Sequence, residues 1–280
     1  MRISDHVFLK EFELKHLELT LQKIHSEIEF DRCSLFVEVS ALERIEVITC
    51  LLNWLEQRQS KNTKNLTMLI HNGDHIPSNS FFDALDECGT TVYSVNSTSL
   101  KPRIRPLPIG LENRHLRKNG IGKRFEIGKD QRFWTNPRVN DQLDVFSSFN
   151  ISTNFAERNK AKHALLQSGY MFIEPNLTVN QYQDYVRKSR FVISPPGNGI
   201  DCHRTWEAIY LGAIPVVLRQ YLSDQLIDMF PVFAISEWSE FLDMSQKEKD
   251  NLASSFNGRR YPAIEIDYWK RLISGGGEMI

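Results

Sequence analysis

Between residues 9 and 29, apolar side chains at Leu14, Leu17, Leu21, Ile24 and Ile28 recur at spacings of three and four. That pattern predicts a helix with one apolar stripe. SLFVEV (34–39) is a short β-rich run, ALERIEVITCLLNWLEQ (41–57) reads as a helix, and TMLIHNGDHIP (67–77) reads as a buried strand running into a polar loop. SFFDALDEC (80–88) predicts a short helix closed by Gly89, and TVYSV (91–95) another strand. Strand, helix, strand, helix, strand is the rhythm of a parallel sheet covered by helices.

KPRIRPLPIGLEN (101–113) holds three prolines and cannot be a long helix. From Arg114 to Arg138 eight Lys or Arg face only Glu126 and Asp130, so this stretch reads as an exposed basic connection, or as a basic rim beside an anionic ligand. The rhythm then resumes. DVFSSFNI (144–151) reads as a strand, ERNKAKHALLQSG (157–169) as a helix with Gly169 as its C-cap, YMFIEP (170–175) as a strand and VNQYQDYVRKS (179–189) as a helix. RFVISPPG (190–197) and AIPVVL (213–218) read as strands on either side of the helix DCHRTWEAIYLG (201–212). FVIS and IPVV are short continuous apolar runs, as strands buried on both faces should be. LSDQLIDMF and SEFLDMSQKEKDNLASSF continue as helices, and the tail SGGGEMI is expected to be flexible. The expected organisation is an α/β half over 1–113, a basic linker over 114–142, a second α/β half over 143–260, and a segment 261–280 whose helix packs back on the first half.

Composition narrows the function classes. The chain has 280 residues, 41% of them apolar, which is enough for a sizeable core. A balance of 34 basic against 35 acidic residues gives no reason to expect a nucleic-acid partner. No apolar run approaches the ~18 residues of a membrane span, and MRISDHVFLKEFELKH is charged where a signal peptide is apolar. A soluble, cytoplasmic protein is expected. Cys33, Cys50, Cys88 and Cys202 form no C-x-x-C pair, so they are read as small core residues rather than as a zinc site or disulfide framework.

FVISPPGNGIDCHRTWEAIYLGAIPVV (191–217) carries the chemistry. A buried strand ends at Ser194, Pro195 and Pro196 set a turn, and Gly197 and Gly199 around Asn198 let the backbone approach a ligand closely. A helix starting near Asp201 then aims its free N–H groups and positive dipole end at the carboxyl edge of the sheet, where open α/β folds bind anions. His203 and Arg204 lie four and three residues before Glu207, on adjacent parts of one helix face. A cation for phosphate and a carboxylate for ribose hydroxyls are what a nucleotide needs. A capped helix with an internal Arg–Glu pair would explain Arg204 and Glu207 but not the two glycines and the proline pair.

The segment resembles the signature of the exostosin-like glycosyltransferases (GT47-type): Pro195, Pro196 and Gly197, then Arg204, Glu207 and Ala208, then Gly212, Ile214, Pro215, Val216 and Val217. LIHNGDH, PLPIGLEN and FNISTNFAER are similar to the same family, and the likeness fades before about residue 60. The resemblance implies a GT-B fold, with two Rossmann-like halves of mostly parallel sheets facing a central cleft and the donor held by the second. It also implies inverting transfer from a UDP-sugar to a hydroxyl of a glycan acceptor, with no metal or other cofactor. The chain contains no D-x-D that would hold a metal diphosphate.

In such a reaction the leaving diphosphate needs positive partners in place of a metal. By position these are Arg158 and Arg204, helped by the helix start near Gly199. Glu207 accepts from ribose, and Asp201 or His203 contacts the donor sugar or phosphate. A base must take the acceptor proton. Asp74 leads in IHNGDHIP, beside His71 and His75, because partial desolvation would raise its basicity. Glu112 in IGLEN is the rival, and capping of the turn is the alternative role for Asp74. Relatives of this type use UDP-linked xylose, galactose, glucuronate or N-acetylglucosamine. No Lys or Arg stands out as reserved for a sugar carboxylate, which favours a neutral sugar and makes UDP-xylose the first donor to test. An NAD-dependent oxidoreductase would want G-x-G-x-x-G after the first strand, which is not here. A nucleotide-sugar or glycan-binding module without catalysis is the remaining alternative. If Asp74 is the base, Asp74→Asn keeps UDP affinity and loses about 100-fold or more in turnover. Near-normal turnover would move the role to Glu112 or a histidine.

Overall fold

The computed structural model describes residues 6–9, 33–59, 66–112, 125 and 143–273. The apolar stripe expected after residue 9, the basic linker apart from Phe125, and the tail beyond 273 lie outside the described residues. The chain divides into two compact units, Met1–Ile109 and Gly110–Ile280.

The first unit is built on a five-stranded sheet of β1 (His6–Leu9), β2 (Cys33–Glu38), β3 (Leu66–His71), β4 (Thr91–Ser94) and β5 (Ile104–Pro106), paired in sequence order and parallel throughout. Between β2 and β3, and between β3 and β4, a helix supplies the crossover that parallel neighbours need. The helix expected at 41–57 begins later: a 3-10 turn covers Val39–Glu43, and α1 runs over Ile45–Gln59. It buries Val47, Leu51, Trp54 and Leu55, one stripe at helical spacing. Ser78 caps α2 (Asn79–Glu87) by accepting from Phe81 N–H, and Phe81, Phe82 and Leu85 are buried. Glu38 registers with His71, so the carboxyl ends of β2 and β3 lie level.

The second unit has a four-stranded parallel sheet of β6 (Leu143–Phe146), β7 (Ser189–Ile193), β8 (Ile214–Leu218) and β9 (Phe233–Ile235), again in sequence order. Phe146 pairs with Val192, Val192 with Pro215, and Val216 with Phe233. Every residue of β8 is buried, as expected for a central parallel strand. Each sheet is compatible with a Rossmann-like half.

The connecting helices are α3 (Phe155–Gln167), α4 (Val179–Arg187), α5 (His203–Tyr210), α6 (Asp224–Met229), α7 (Trp238–Leu242), α8 (Gln246–Ser255) and α9 (Ile266–Ile273). Gly169 adopts φ 78° just beyond α3, the left-handed ending anticipated there. The helix expected at 239–256 is two. Ser245 opens α8 with a capping box to Glu248, and the buried Lys249 reaches back to donate to the carbonyls of Leu242 and Met244 at the end of α7. Phe125, Phe146, Val186, Val192, Ala208, Leu211 and Ala213 form a core cluster under α4 and α5.

Two strand expectations change here. β6 stops at Phe146 rather than at residue 151, because Asn150 folds its side chain back onto Ser152 N–H and a 3-10 turn, Ile151–Asn154, follows. The segment 170–175 forms no strand. It attaches just beyond β6, with Ile173 N–H on Ser147 O and Ser147 Oγ–H on Met171 O, while Met171 is 72% exposed. Such a run lacks the two-sided burial that makes a parallel strand. Among the described residues no helix is long and apolar enough to cross a membrane.

Candidate functional site

The loops leaving the adjacent strands β6 and β7 lie at the carboxyl edge of the second sheet, the edge at which open α/β sheets bind ligands. The β6 loop carries Phe149, Asn150 and Asn154, then Arg158 on the first turn of α3. The β7 loop carries Pro195 to Cys202, then α5.

Arg158 ties the two loops together. It is 6% exposed, and its Nε donates to Pro196 O at 2.8 Å and its Nη1 to Asn150 O at 2.8 Å. Asn154 adds a second tie, donating from Nδ2 to Gly197 O at 3.0 Å while its Oδ1 accepts from Glu157 N–H at the start of α3. Glycine at 197 gives Arg158 room. A Cβ there would stand 3.1 Å from Arg158 Nη2. Pro196, Gly197 and Gly199 are buried, and Asn198 is exposed at the tip of the loop.

Arg204 stands beside Arg158. The two guanidinium carbons lie 5.6 Å (Arg204) and 5.9 Å (Arg158) from the centroid of the buried Phe149 ring. Among the described residues neither has a carboxylate within salt-bridge distance, and Arg204 Nε is buried with no hydrogen-bond partner. Burial pushes the Arg158 guanidinium down to about 10, and the charge of Arg204 adds to the effect. Two cations pressed together against an aromatic face, bonded only to neutral carbonyls or to nothing, form a site short of negative charge.

Cys202 is the N-cap of α5 and makes no side-chain capping bond. Both oxygens of Asp201 receive Trp206 Nε1–H, at 2.8 and 2.9 Å, deep in the core. Asp201, expected to contact a donor, thus pins the loop onto the helix it precedes. His203 Nδ1–H donates to Gly110 O at 2.7 Å, which leaves Nε2 as the ring's acceptor.

Glu207 lies one turn further along α5 and is 5% exposed. Its Oε2 accepts from Tyr182 O–H at 2.8 Å. Desolvation pushes its carboxyl up; Tyr182, Arg204 and His203 pull it down, and the nearby charge of Glu112 pushes it up again. Glu112 belongs to the second unit with these residues. Arg158, Pro196, Gly197, Gly199, His203, Arg204, Glu207 and Glu112 are therefore gathered by one fold.

His71, Asp74 and His75 lie in the first unit, at the carboxyl end of β3. Asn72 N–H donates to His71 Nδ1 at 2.8 Å, so Nε2 carries the proton and donates to Pro108 O at 3.3 Å. Asn72 adopts φ 63°, and a Cβ on Gly73 would lie 2.6 Å from Val39 Cγ1. Asn96 Nδ2 holds the carbonyls of Gly73 and His75. The loop is well pinned, and it presents Asp74 as an exposed side chain rather than the partly desolvated one expected.

Sequence reasoning did not single out Phe149, Asn150, Asn154 or Tyr182. An Asn three residues before a Glu–Arg pair at a helix start was the one available signal, for Asn154. Tyr182 sits 25 residues from Glu207 on another helix and carries none. Among the described residues no three His, Cys, Asp or Glu side chains form a metal-sized group.

Two outcomes follow. Arg204→Ala removes no protein hydrogen bond and relieves repulsion on Arg158, so the melting temperature without ligand should hold or rise while UDP affinity falls by roughly 1–3 kcal/mol. A variant that unfolds, or that binds UDP as well as the parent in titration calorimetry, contradicts this role. Glu207 has a folded-state carboxyl above its ordinary value of 4.5. The stability it contributes is present below 4.5 and lost as pH rises through its folded value. Glu207→Gln should therefore gain on the parent as pH rises above 4.5 and level off once the folded-state carboxyl has ionised, read as paired melting curves. Parallel curves would mean that the carboxylate is not desolvated.

Residues 147–270, all within the second unit, match the family model described as the RXYLT1 C-terminal domain. No curated protein matches the chain. The matched family is xylosyltransferase-related and consistent with a GT47-like glycosyltransferase.

Proposed function

We propose that this chain is a GT-B glycosyltransferase that moves a sugar from UDP to a hydroxyl of a glycan acceptor, with inversion and without a metal. The observation that carries the reading is the pair of guanidinium groups, Arg158 and Arg204, gathered at the loop 195–199 with no carboxylate within salt-bridge distance among the described residues. A diphosphate supplies the missing negative charge, and the uncapped start of α5 adds N–H donors to it. Glu207 keeps Oε1 free of protein partners among the described residues, as an acceptor for ribose hydroxyls should.

In the transfer step the acceptor oxygen bonds to the anomeric carbon on the face opposite the diphosphate. The bond from that carbon to the β-phosphate oxygen breaks, and its electron pair leaves with UDP. Arg158 and Arg204 stabilise that developing charge. The acceptor proton passes to a carboxylate. Asp74 is the first assignment, supported by its place on a pinned loop at a strand end. Glu112 is the rival, supported by its nearness to Glu207. UDP-xylose is the first donor to test, supported by the xylosyltransferase-related family match.

The test is a thermal-shift screen of the folded protein against UDP, GDP, ADP, CMP, NAD and a panel of UDP-sugars, with and without EDTA. UDP and one UDP-sugar should raise the melting temperature equally in both conditions. No shift with any nucleotide sinks the reading, and a shift that EDTA abolishes and manganese restores sinks the metal-free mechanism.

A further inference from the structure

The two oxygens of Glu207 have different fates. Oε2 accepts the Tyr182 hydroxyl at 2.8 Å, while Oε1 has no protein partner among the described residues. Tyr182 stands on the first turn of α4, a helix fixed by the Thr178–Gln181 capping box and by Tyr182 N–H on Thr178 O. Its ring meets Phe146 edge-on at 5.8 Å and packs on the core cluster beneath α5. The hydroxyl is therefore delivered to Glu207 by a rigid element, from a separate helix. We propose that Tyr182 is a positioning residue for nucleotide recognition: by holding Oε2 it fixes the carboxylate plane and leaves Oε1 as the acceptor for a ligand's ribose hydroxyls. This rests on the nucleotide reading given above and names the part of the nucleotide that the Tyr182–Glu207 pair senses.

The electrostatics agree. Desolvation opposes the ionised form of Glu207, and the Tyr182 hydrogen bond is the largest influence favouring it, ahead of Arg204 and His203. Burial, with the charge of Glu207, holds the Tyr182 hydroxyl well above its ordinary range, so it stays a proton donor. With Oε2 taken by the Tyr182 hydroxyl, Oε1 is the oxygen left to accept from a ligand.

The experiment is titration of UDP and of 2′,3′-dideoxyuridine diphosphate into the parent, Tyr182→Phe, Glu207→Gln and the double variant, with melting curves to confirm folding. The parent should prefer UDP by roughly tenfold or more, the scale of a hydrogen bond to a charged group. Tyr182→Phe should lose most of that preference through weaker UDP binding, with dideoxy-UDP affinity unchanged. The double variant should match Glu207→Gln, since the tyrosine acts only through the carboxylate. If Tyr182→Phe keeps the full preference, or weakens both ligands equally, the tyrosine is structural and the proposal falls. Should Tyr182→Phe fail to fold, Glu207→Gln decides: retained preference for UDP overturns the assignment. A parent that binds neither ligand overturns the nucleotide reading itself, an outcome separate from the other failures.

Discussion

Arg158 holds the second unit's ligand edge in shape. Its guanidinium is buried, costs free energy by being charged there, and spends two of its donors on the carbonyls of Pro196 and Asn150. Those carbonyls belong to loops that leave neighbouring strands, so one side chain sets the spacing of the two loops. A Cβ on Gly197 would crowd Arg158 Nη2, and Asn154 bonds the carbonyl of that same glycine. Around this tie, the strand-end loop becomes a fixed frame with backbone and cations directed at one place.

The arrangement has an energetic cost that points to a ligand. A structural arginine buried in a protein is ordinarily balanced by a carboxylate. Arg158 instead shares the Phe149 ring with a second cation, Arg204, whose Nε has no partner. Elsewhere among the described residues of the unit, Arg190 pairs with Asp144 and Asp250, Lys162 with Glu174 and Arg219 with Asp224, while the buried Lys249 stands alone and is held by two carbonyls. Arg158 and Arg204 differ from Lys249 in being two cations side by side.

Glu207 is organised by the opposite logic. It is one of the few buried carboxylates, and the groups that favour its charge come from different parts of the chain: Tyr182 from α4, Arg204 and His203 from its own helix. Gly110 anchors His203, and Glu112 lies close enough to oppose Glu207's charge. The short segment that opens the second unit thereby contributes to the same cluster.

Much of this was legible in the chain alone. Continuous apolar runs at FVIS and IPVV marked β7 and β8, because strands buried on both faces need no polar alternation. Prolines and glycines at 195–199 followed by a helix with Arg204 and Glu207 marked the site, because close backbone approach and helical spacing are local properties. Strand lengths were not legible. DVFSSFNI and YMFIEP have strand composition, but Asn150 turns the first back on itself and the second finds only Ser147 for a partner. Asp201 and Glu207 were both read from the sequence as ligand contacts, and tertiary packing gives the Asp201 carboxylate to the Trp206 indole and Glu207 Oε2 to the Tyr182 hydroxyl. The chain by itself determined which residue types sit at the ends of β6 and β7, since that follows from periodicity and turn chemistry. Only the folded structure decided which of them find protein partners, because hydrogen-bond partners such as Pro196 O for Arg158 and Tyr182 for Glu207 lie 38 and 25 residues away.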